Sequence, residues 1–411
     1  MGILEKIADI NKEMARTQKN KATNGHLGLL KAKLAKLRTE LLTEGQTGTG
    51  NSEGEGFAVA KSGDGRVALI GFPSVGKSTL LDSLTTTESA VGSYEFTTLT
   101  CIPGNVMYKG TKIQLLDLPG IIDGASEGKG RGREVIAVAK TSDVVMMILD
   151  AGAEHSKNHR GILEVELEAC GLRLNKTPPN ITFRQKKTGG VKVNMTVPLT
   201  FMGSTQAEAA KNVHNILKEY RIHNCELMIR CDCTADEIID VIEGNRKYIR
   251  CLYVYNKVDT ITIEDCDRLA RLPNTIVISV HAQLNLDRLL EKMWEYLGLT
   301  RIYTKRKGGP PDFSEPVVLT QGRRGLTVES ACKTISGEML KIFNFAMVWG
   351  TSTKHSPQRC GLTHKLEDED VVQIVTKTVT QQKHSKEYNK QCQEVYDNYK
   401  LKKKNKKPLK T

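Results

Sequence analysis

A glycine-rich segment early in the chain has the residue types needed to hold phosphate groups. Residues 71–79 read GFPSVGKST and match the pattern GxxxxGK[ST]. Glycines let successive backbone N–H groups wrap phosphate oxygens at a helix N-terminus. Lys77 should reach the β- and γ-phosphates, and Ser78 should ligate Mg²⁺. The alternative is a glycine-rich strand–helix turn without a ligand, and the strand before the motif and the apolar helix after it favour the phosphate role. The residues concerned are Gly71, Phe72, Pro73, Ser74, Val75, Gly76, Lys77, Ser78 and Thr79.

A second phosphate-directed pattern, DxxG, comes 39 residues after Ser78 and reads Asp117-Leu118-Pro119-Gly120. An aspartate at the end of a buried strand would hold Mg²⁺, usually through water, and the glycine N–H would contact the γ-phosphate. The pattern is weak by itself and gains weight from its position after an apolar strand.

A threonine-rich loop, YEFTTLT at residues 94–100, lies between these two patterns. A hydroxyl from such a loop completes Mg²⁺ coordination only when the γ-phosphate is present, which makes the loop a switch. We assign this role to Thr98, with Thr97 as the alternative and Phe96 beside them. A threonine-rich strand without a metal role is the competing interpretation. The expected catalytic set is Lys77, Thr98 and Gly120, and the expected metal set is Ser78, Thr98 and Asp117.

Two further patterns point to the base. In Asn256-Lys257-Val258-Asp259, the carboxylate of Asp259 can accept two N–H bonds from guanine N1 and N2, a donor pair that adenine lacks. An unpaired carboxylate would penalise the wrong base strongly, so Asp259 favours GTP over ATP. In Ser279-Val280-His281, the backbone N–H groups could meet guanine O6, although this match is the weakest of the set.

These patterns need elements that bring them together. Near-continuous apolar runs at residues 67–70, 112–117, 144–150, 251–256 and 275–279 predict strands of a parallel sheet covered on both faces. Ligands of such sheets lie beyond the carboxyl ends of the strands, which is where the patterns above fall. The fold class is therefore α/β.

The spacing along the chain predicts additional modules. Residues 3–42 have apolar positions at helical spacing and predict a basic helical hairpin. The 139 residues from Asp117 to Asn256 exceed the roughly 60 that two βα units need, so we expect an inserted α+β subdomain. Within it, residues 180–184 and 191–197 around Gly189-Gly190 predict a β-hairpin, and residues 206–220 and 234–243 predict helices. Residues 316–378, with short strands and one helix at 327–341, predict a small β-grasp domain that follows a hinge at 305–311.

Charge and cysteine content narrow the function classes. The net charge is +13, and it is concentrated at the ends, with ten lysines against three acids in residues 383–411. Basic ends favour contact with a polyanion, and solvated lysines that aid solubility are the alternative. The ten cysteines form no CxxC pair, so we expect reduced thiols in a cytoplasmic protein rather than a zinc site. No apolar run is long enough to span a membrane, and no signal peptide is expected at the N-terminus.

The patterns GFPSVGKST, YEFTTLT, DLPG, NKVD and SVH together resemble the Obg branch of translation-factor-related GTPases. The stretches ARTQKNKAT, HLGLLKAKLAKLR, GKGRGREVIAVAK and YTKRKGGPPDF resemble the developmentally regulated GTP-binding proteins, and within them the second of two eukaryotic branches. The resemblance covers residues 1–378. It implies a P-loop GTPase domain with an inserted S5D2-like subdomain, an N-terminal helix-turn-helix and a C-terminal β-grasp TGS domain. It also implies association with ribosomes and with a stabilising DFRP-type protein partner.

The expected domain order follows from these patterns. The ranges are 1–45 for the helical hairpin, 46–62 for a linker, 63–165 and 248–300 for the GTPase domain, 166–247 for the insertion, 301–378 for the TGS domain and 379–411 for a basic tail.

One position bears on the rate of hydrolysis. Ile121 follows Gly120 at the place where many GTPases carry a glutamine that orients water. Isoleucine cannot orient water, so we expect slow intrinsic hydrolysis of GTP to GDP. Some members of the similar family recruit K⁺ as a charge-stabilising ion. Ser74 stands where certain K⁺ users carry Asn, and a hydroxyl is a poorer ligand, so K⁺ dependence is a hypothesis. The glycine-rich, basic segment Gly124–Arg133 would be the second switch.

A non-catalytic scaffold that keeps GTP as a structural ligand and binds RNA remains the alternative to a GTPase switch.

Overall fold

The structure is a computed structural model. It describes residues 2–18, 20, 23–43, 63–85, 102–118, 138–152, 156–202, 205–320 and 325–378. Several predicted features lie outside the described residues: Phe96, Thr97, Thr98, Pro119, Gly120, Ile121, Gly124–Arg133, the linker at 46–62 and the tail at 379–411. The chain forms two compact units, residues 1–107 with 112–296 and residues 108–111 with 297–411. No described helix is long and apolar enough to cross a membrane.

A seven-stranded sheet forms the core of the first unit, in the order β10-β9-β4-β1-β3-β2 with β5 paired to β9. The pairs β1–β3, β1–β4, β4–β9 and β9–β10 are parallel. All six residues of β1 are buried, as expected of a strand covered on both faces. The five predicted strands are all present, and β2 and β5 were not predicted. The strands are β1 (Gly65–Ile70), β2 (Ile102–Tyr108), β3 (Thr111–Asp117), β4 (Val144–Asp150), β5 (Leu172–Leu174), β9 (Lys247–Asn256) and β10 (Thr275–Val277).

Helices connect the parallel strands. One apolar core lies between the sheet and these helices and includes Met147, Leu149, Leu163, Leu167 and Tyr253. The helix after β1 buries Leu80, Leu81 and Leu84, which recur at helical spacing. The helices of this region are α3 (Lys77–Thr85), α4 (Ser156–Ala169), α7 (Ile263–Ala270) and α8 (Leu286–Leu297).

The insertion between β5 and β9 is an α+β subdomain, but its strand order differs from the prediction. The strands β6 (Ile181–Gln185) and β7 (Val191–Met195) do not pair with each other as a hairpin. The strand β8 (Cys225–Ile229) lies between them, antiparallel to β6 and parallel to β7. The hairpin prediction is therefore wrong, because Cys225, Leu227 and Ile229 bury one face of β8 at the centre of the sheet and displace the local pairing.

Two helices cover one face of this small sheet, α5 (Gln206–Glu219) and α6 (Ala235–Glu243). A capping box begins α6, in which the Thr234 N–H donates to Glu237 Oε2 at 2.7 Å. Gly244 ends the helix in the left-handed conformation, with φ of 64°.

The N-terminal hairpin packs on the insertion. It consists of α1 (Ile3–Arg16) and α2 (Asn24–Thr43). Ala32 and Ala35 of α2 are buried in the same apolar core as the α5 residues Val213 and Ile216. The Tyr220 hydroxyl donates to the Ala32 carbonyl at 3.3 Å. The hairpin is therefore a part of this packed unit and not a separate arm.

The second unit is a five-stranded sheet in the order β12-β11-β15-β13-β14. Its helices are α9 (Val328–Ile335) and α10 (Met339–Ile342), so the single helix predicted at 327–341 is two helices, interrupted at Ser336 in an extended conformation. The predicted hinge at 305–311 is also wrong, because Lys305 ends β11 and Pro311 begins β12, its antiparallel neighbour. The strands are β11 (Leu299–Lys305), β12 (Pro311–Thr320), β13 (Phe343–Trp349), β14 (Gln358–Cys360) and β15 (Asp370–Thr376).

A buried carboxylate joins the insertion to the large sheet. Asp240 of α6, with a side chain that is 1% exposed, accepts two hydrogen bonds from the Arg173 guanidinium of β5, at 2.6 and 2.7 Å. Arg246 lies 3.4 Å from the same carboxylate. Arg246 also lies 3.0 Å from Glu243, so Asp240 is the carboxylate that pairs with Arg173 and shares Arg246 with a second acid.

Replacing that anion should destabilise the first unit. Asp240→Ala leaves the Arg173 guanidinium without its carboxylate partner, which we expect to cost about 3 kcal/mol in the free energy of unfolding, measured by chemical denaturation. The matched control is Asp267→Ala, which removes a carboxylate that is 58% exposed from its pair with Arg271 and should cost less than about 1 kcal/mol. Equal effects of the two substitutions would contradict this account.

Candidate functional site

The carboxyl ends of four parallel strands meet at one edge of the large sheet. Register places Asp117 of β3 beside Leu69 of β1, and Asp150 of β4 beside Asn256 of β9. The glycine-rich loop leaves β1 at the same edge, so the predicted phosphate and base patterns are neighbours in space.

Two glycines of the loop have no room for a side chain. A Cβ on Gly71 would lie 2.4 Å from the Ile148 carbonyl oxygen of β4. A Cβ on Gly76, which has φ of 93°, would lie 2.5 Å from Asn256 Nδ2. The loop can therefore follow this path against β4 and β9 only with glycine at both positions.

Lys77, the first residue of α3, lies inside the curve of the loop. Its ammonium donates to the Gly71 carbonyl at 3.1 Å and to the Phe72 carbonyl at 2.9 Å. Burial lowers the pKa of Lys77, and the nearby Asp117 carboxylate opposes this shift. A buried cation with few other partners is suited to an anionic ligand.

Ser78 and Asp117 form a pair of oxygen donors that fits Mg²⁺. The Ser78 hydroxyl donates to Asp117 Oδ2 at 2.6 Å. Asp117 Oδ1 is buried and has no hydrogen-bond partner. A hydroxyl and a carboxylate with a free oxygen are hard ligands of the type that Mg²⁺ prefers, so the residues present fit this ion.

Asn256 ties the phosphate loop to the two base-directed loops. Its side-chain Nδ2 donates to the Val75 carbonyl at 2.9 Å. Its Oδ1 accepts from the Lys257 N–H at 2.8 Å and from the Val280 N–H at 3.2 Å. This buried amide therefore fixes three loops with one side chain.

The charged side chain of Lys257 also links the glycine-rich loop to the end of β4. Its ammonium donates to the Ser74 carbonyl at 2.9 Å and to Asp150 Oδ2 at 2.7 Å. The sequence analysis did not assign a role to Asp150. The signal was present, because Asp150 ends a buried strand at the same edge as Asp117 and Asn256.

Asp259 lies at the mouth of the site, held by a neighbouring loop. The Ser279 hydroxyl donates to Asp259 Oδ1 at 2.6 Å and accepts from the Ala282 N–H at 3.1 Å. The hydrogen bond from Ser279 lowers the pKa of Asp259, to which the charges of His281 and Lys257 add. The carboxylate is therefore ionised and oriented, as an acceptor of two N–H bonds must be.

One contact of the phosphate loop was not predicted. The ring of Phe72 packs on the ring of His159 in α4, with centroids 4.5 Å apart. Nothing in the local sequence around His159 indicates this contact. Thr79 continues α3 beyond Ser78 and is exposed.

Among the described residues there is no group of three or more His, Cys, Asp or Glu side chains that could hold a metal ion. The thiols of Cys225, Cys231 and Cys233 lie in or against the insertion's core, where burial raises the pKa of Cys233 to about 12. They pack as small apolar side chains.

Comparison with protein families divides the chain into three matched regions. A family described as "50S ribosome-binding GTPase" matches residues 66–184, and "C-terminal region of MMR_HSR1 domain" matches residues 188–299. The TGS domain family matches residues 300–376.

Comparison with individual proteins gives matches over nearly the whole length. The chain is similar to "Developmentally-regulated G-protein 1" of Arabidopsis thaliana, at 62% identity over 92% of each chain. It is also similar to "Developmentally-regulated GTP-binding protein 2" of Homo sapiens, at 60% identity over 92% of this chain and 100% of the relative. Among solved structures, the Schizosaccharomyces pombe YchF GTPase is 14% identical over 77% of this chain and 99% of its own, with a TM-score of 0.44. By its close relatives and its GTPase and TGS domains, the chain belongs to the family of developmentally regulated GTP-binding proteins.

Proposed function

We propose that this chain is a molecular switch that binds GTP, hydrolyses it slowly to GDP and phosphate, and associates with ribosomes during translation. The observation that carries the proposal is the Asn256 side chain, which bonds to the phosphate loop at Val75 and to the base loop at Val280. Because one buried amide holds both loops, recognition of the base and of the phosphates belongs to a single site.

The base selectivity rests on Asp259. Guanine presents N–H donors at N1 and N2 that an ionised carboxylate can accept, whereas adenine would leave this carboxylate unpaired and desolvated. Ser279 orients the carboxylate. Within Ser279-Val280-His281, the N–H groups of Ser279 and Val280 donate to Leu284 and Asn256, so the His281 N–H is the candidate donor to guanine O6. This favours GTP over ATP as the ligand.

The phosphate chemistry divides among the remaining residues. Lys77 and the N–H groups of the glycine-rich loop bind the β- and γ-phosphate oxygens at the N-terminus of α3. Ser78 and Asp117 hold Mg²⁺, with Thr98 as a further ligand, and this ion supplies neutralisation of the negative charge on the phosphates. Gly120 senses the γ-phosphate through its N–H, so Thr98 and the segment after Gly120 respond to the presence of that group.

The residues of the same site account for a low intrinsic rate of GTP hydrolysis. Ile121 offers no group that could orient an attacking water, so chemistry depends on positioning and charge alone. A K⁺ ion beside Ser74 would add positive charge near the phosphates. The alternative, a non-catalytic scaffold liganded by GTP, shares every binding residue and differs only in turnover.

Association with ribosomes is supported by charge and by the family match. Four cationic side chains of the helical hairpin, Lys6, Lys12, Arg16 and Lys33, are exposed while the apolar residues of α2 pack on the insertion. Contacts of such cations with RNA phosphates release counterions and weaken with salt. The match to a family described as ribosome-binding agrees with this proposal. A DFRP-type partner, which the family resemblance implies, would stabilise the protein in the cell.

Removing the phosphate-binding lysine should abolish function at the site. Lys77→Ala should lower single-turnover GTP hydrolysis about 100-fold or more, because one charged contact to the transferring group is lost. Ser78→Asn should do the same through the metal position. The control is Lys211→Ala, an exposed lysine of α5 that lies in the insertion. Unchanged hydrolysis in the Lys77 and Ser78 variants would refute the assignment.

Base selectivity has its own test. Asp259→Ala should weaken GDP binding about 100-fold or more and leave the weak binding of ADP unchanged, because only guanine loses hydrogen bonds. Competition against a fluorescent guanine nucleotide measures both affinities. Asp265→Ala, six positions later and on the exposed start of α7, is the matched control. Loss of affinity for both bases alike would show that Asp259 acts on folding instead.

A measurement of GTP hydrolysis distinguishes the proposed GTPase switch from the non-catalytic scaffold. We expect single-turnover hydrolysis to be faster in KCl than in NaCl at matched ionic strength, and faster again when purified ribosomes and the partner are added in turn. Equal rates in the two salts would remove the K⁺ hypothesis. Absence of hydrolysis under every condition, with GTP bound, would favour the scaffold.

A further inference from the structure

The sheet of the second unit has one covered face and one open face. Ile302, Ala346, Val348 and Val372 are buried in a core beneath α9. Because side chains alternate along a strand, the residues between them point to the opposite face. That face is not used by the nucleotide site described above.

Aromatic side chains form a row across the open face. Register pairs Val371 of β15 with Tyr303 of β11 on one side and with Trp349 of β13 on the other. Phe313 of β12 extends the row, with its ring edge-on to Tyr303 at 5.0 Å between centroids. Phe313 is 63% exposed, which is unusual for a ring that could have been buried.

Two of the open-face rings carry a cation. The Lys305 ammonium lies 4.7 Å from the centroid of Trp349, and the Arg359 guanidinium lies 4.0 Å from the centroid of Phe345. Arg306 and Lys307, in the turn after β11, are exposed and add positive charge. Asp368 and Glu369, which precede β15, are each paired with Arg301 at 2.8 Å. Asp312 and Glu315 of β12, near Phe313 in sequence, are exposed. The four cations Lys305, Arg306, Lys307 and Arg359 outnumber these two acids.

The combination of aromatic rings and cations on the open face favours one class of ligand. An apolar protein segment would bury Lys305 and Arg359 without a counter-charge, which is costly. A strand of nucleic acid instead offers bases that stack on the rings and on the guanidinium plane, and phosphates that pair with the cations. A duplex cannot present its base faces in this way.

We propose that the open face formed by Tyr303, Lys305, Phe313, Phe345, Trp349 and Arg359 binds single-stranded nucleic acid by base stacking. This proposal goes beyond GTP binding and hydrolysis and does not depend on them. The cations that lie over the rings in the free protein move to phosphates, and bases take their places.

Binding of a fluorescein-labelled single-stranded oligouridylate to the full-length chain, followed by anisotropy, tests the proposal. Trp349→Ala and Phe313→Ala should each weaken binding roughly tenfold, the size of one lost stacking contact. Arg359→Ala should weaken binding and lower the slope of log affinity against log salt by about one. A duplex of the same length should compete poorly.

The controls separate this face from other basic surfaces. Phe201→Ala removes a ring of the insertion that is 59% exposed, and Lys333→Ala removes an exposed lysine from α9, on the covered side of the same sheet. Neither should change the affinity by more than about twofold. GTP hydrolysis should be unchanged in all of these variants, so failure here is distinct from failure of the nucleotide site.

Fluorescence gives a direct readout. The chain has two tryptophans, and Trp294 is buried in α8, so a Trp294→Phe chain reports on Trp349 alone. Saturating oligouridylate should quench this fluorescence through stacking. Unaltered fluorescence, equal RNA affinity in the Trp349 and Phe313 variants, or equal competition by the duplex would each overturn the proposal, and would leave a protein partner as the occupant of the face.

Discussion

The side chain of Asn256 is the interaction on which the arrangement of the site depends. Its amide uses both polar atoms, donating to the Val75 carbonyl and accepting from the N–H groups of Lys257 and Val280. Each of these groups lies on a different loop, and each would be an unsatisfied polar atom without the amide. The close approach of Gly76 to the same amide excludes a side chain there. The glycine-rich loop and the base loops are therefore one structure, and the conformation of each limits the others.

A second constraint concerns how the insertion is connected to this edge of the sheet. The insertion rejoins the large sheet at Lys247, the start of β9, and the strand then runs to Asn256, a length of about 30 Å. The Lys247 ammonium donates to the carbonyl oxygens of Lys140 and Ser142, both at 2.6 Å. Lys140 and Ser142 follow the segment predicted as the second switch. A shift of residues 138–142 must therefore either carry Lys247 with it or break these two partly buried hydrogen bonds.

The sequence was sufficient to predict site residues where the function requires particular residue types close together in the chain. Gly71, Lys77, Asp117 and Asn256 are each recognisable from a short pattern at a strand end, and the structure brings all four to one edge. Asp150 also ends a predicted strand, but no short pattern includes it, and its partner Lys257 is distant in sequence. The same reason explains the hairpin error, since Gly189-Gly190 signals a local turn while β8, a strand from beyond α5, determines the pairing of β6 and β7. The helix break at Ser336 and the turn after Lys305 each coincide with a local turn signal, Ser336-Gly337 and Gly308-Gly309-Pro310, so here the signal was present and its meaning was misjudged.

The packing of the hairpin changes the interpretation of the basic N-terminus. A flexible arm would lose conformational entropy when its cations bind RNA. In this protein, α2 instead buries Ala32 and Ala35 in the insertion's core. It also forms hydrogen bonds from Lys31 to Asp236 and from Thr39 to Glu243. The exposed cations of the hairpin are therefore a fixed array, with less entropy to lose on binding. Their position is set by the insertion, the insertion is held to the large sheet by Arg173 and Asp240, and β9 extends from that junction to the nucleotide site. Packed and hydrogen-bonded elements therefore connect the edge of the sheet that carries the nucleotide motifs with the basic surface of the hairpin.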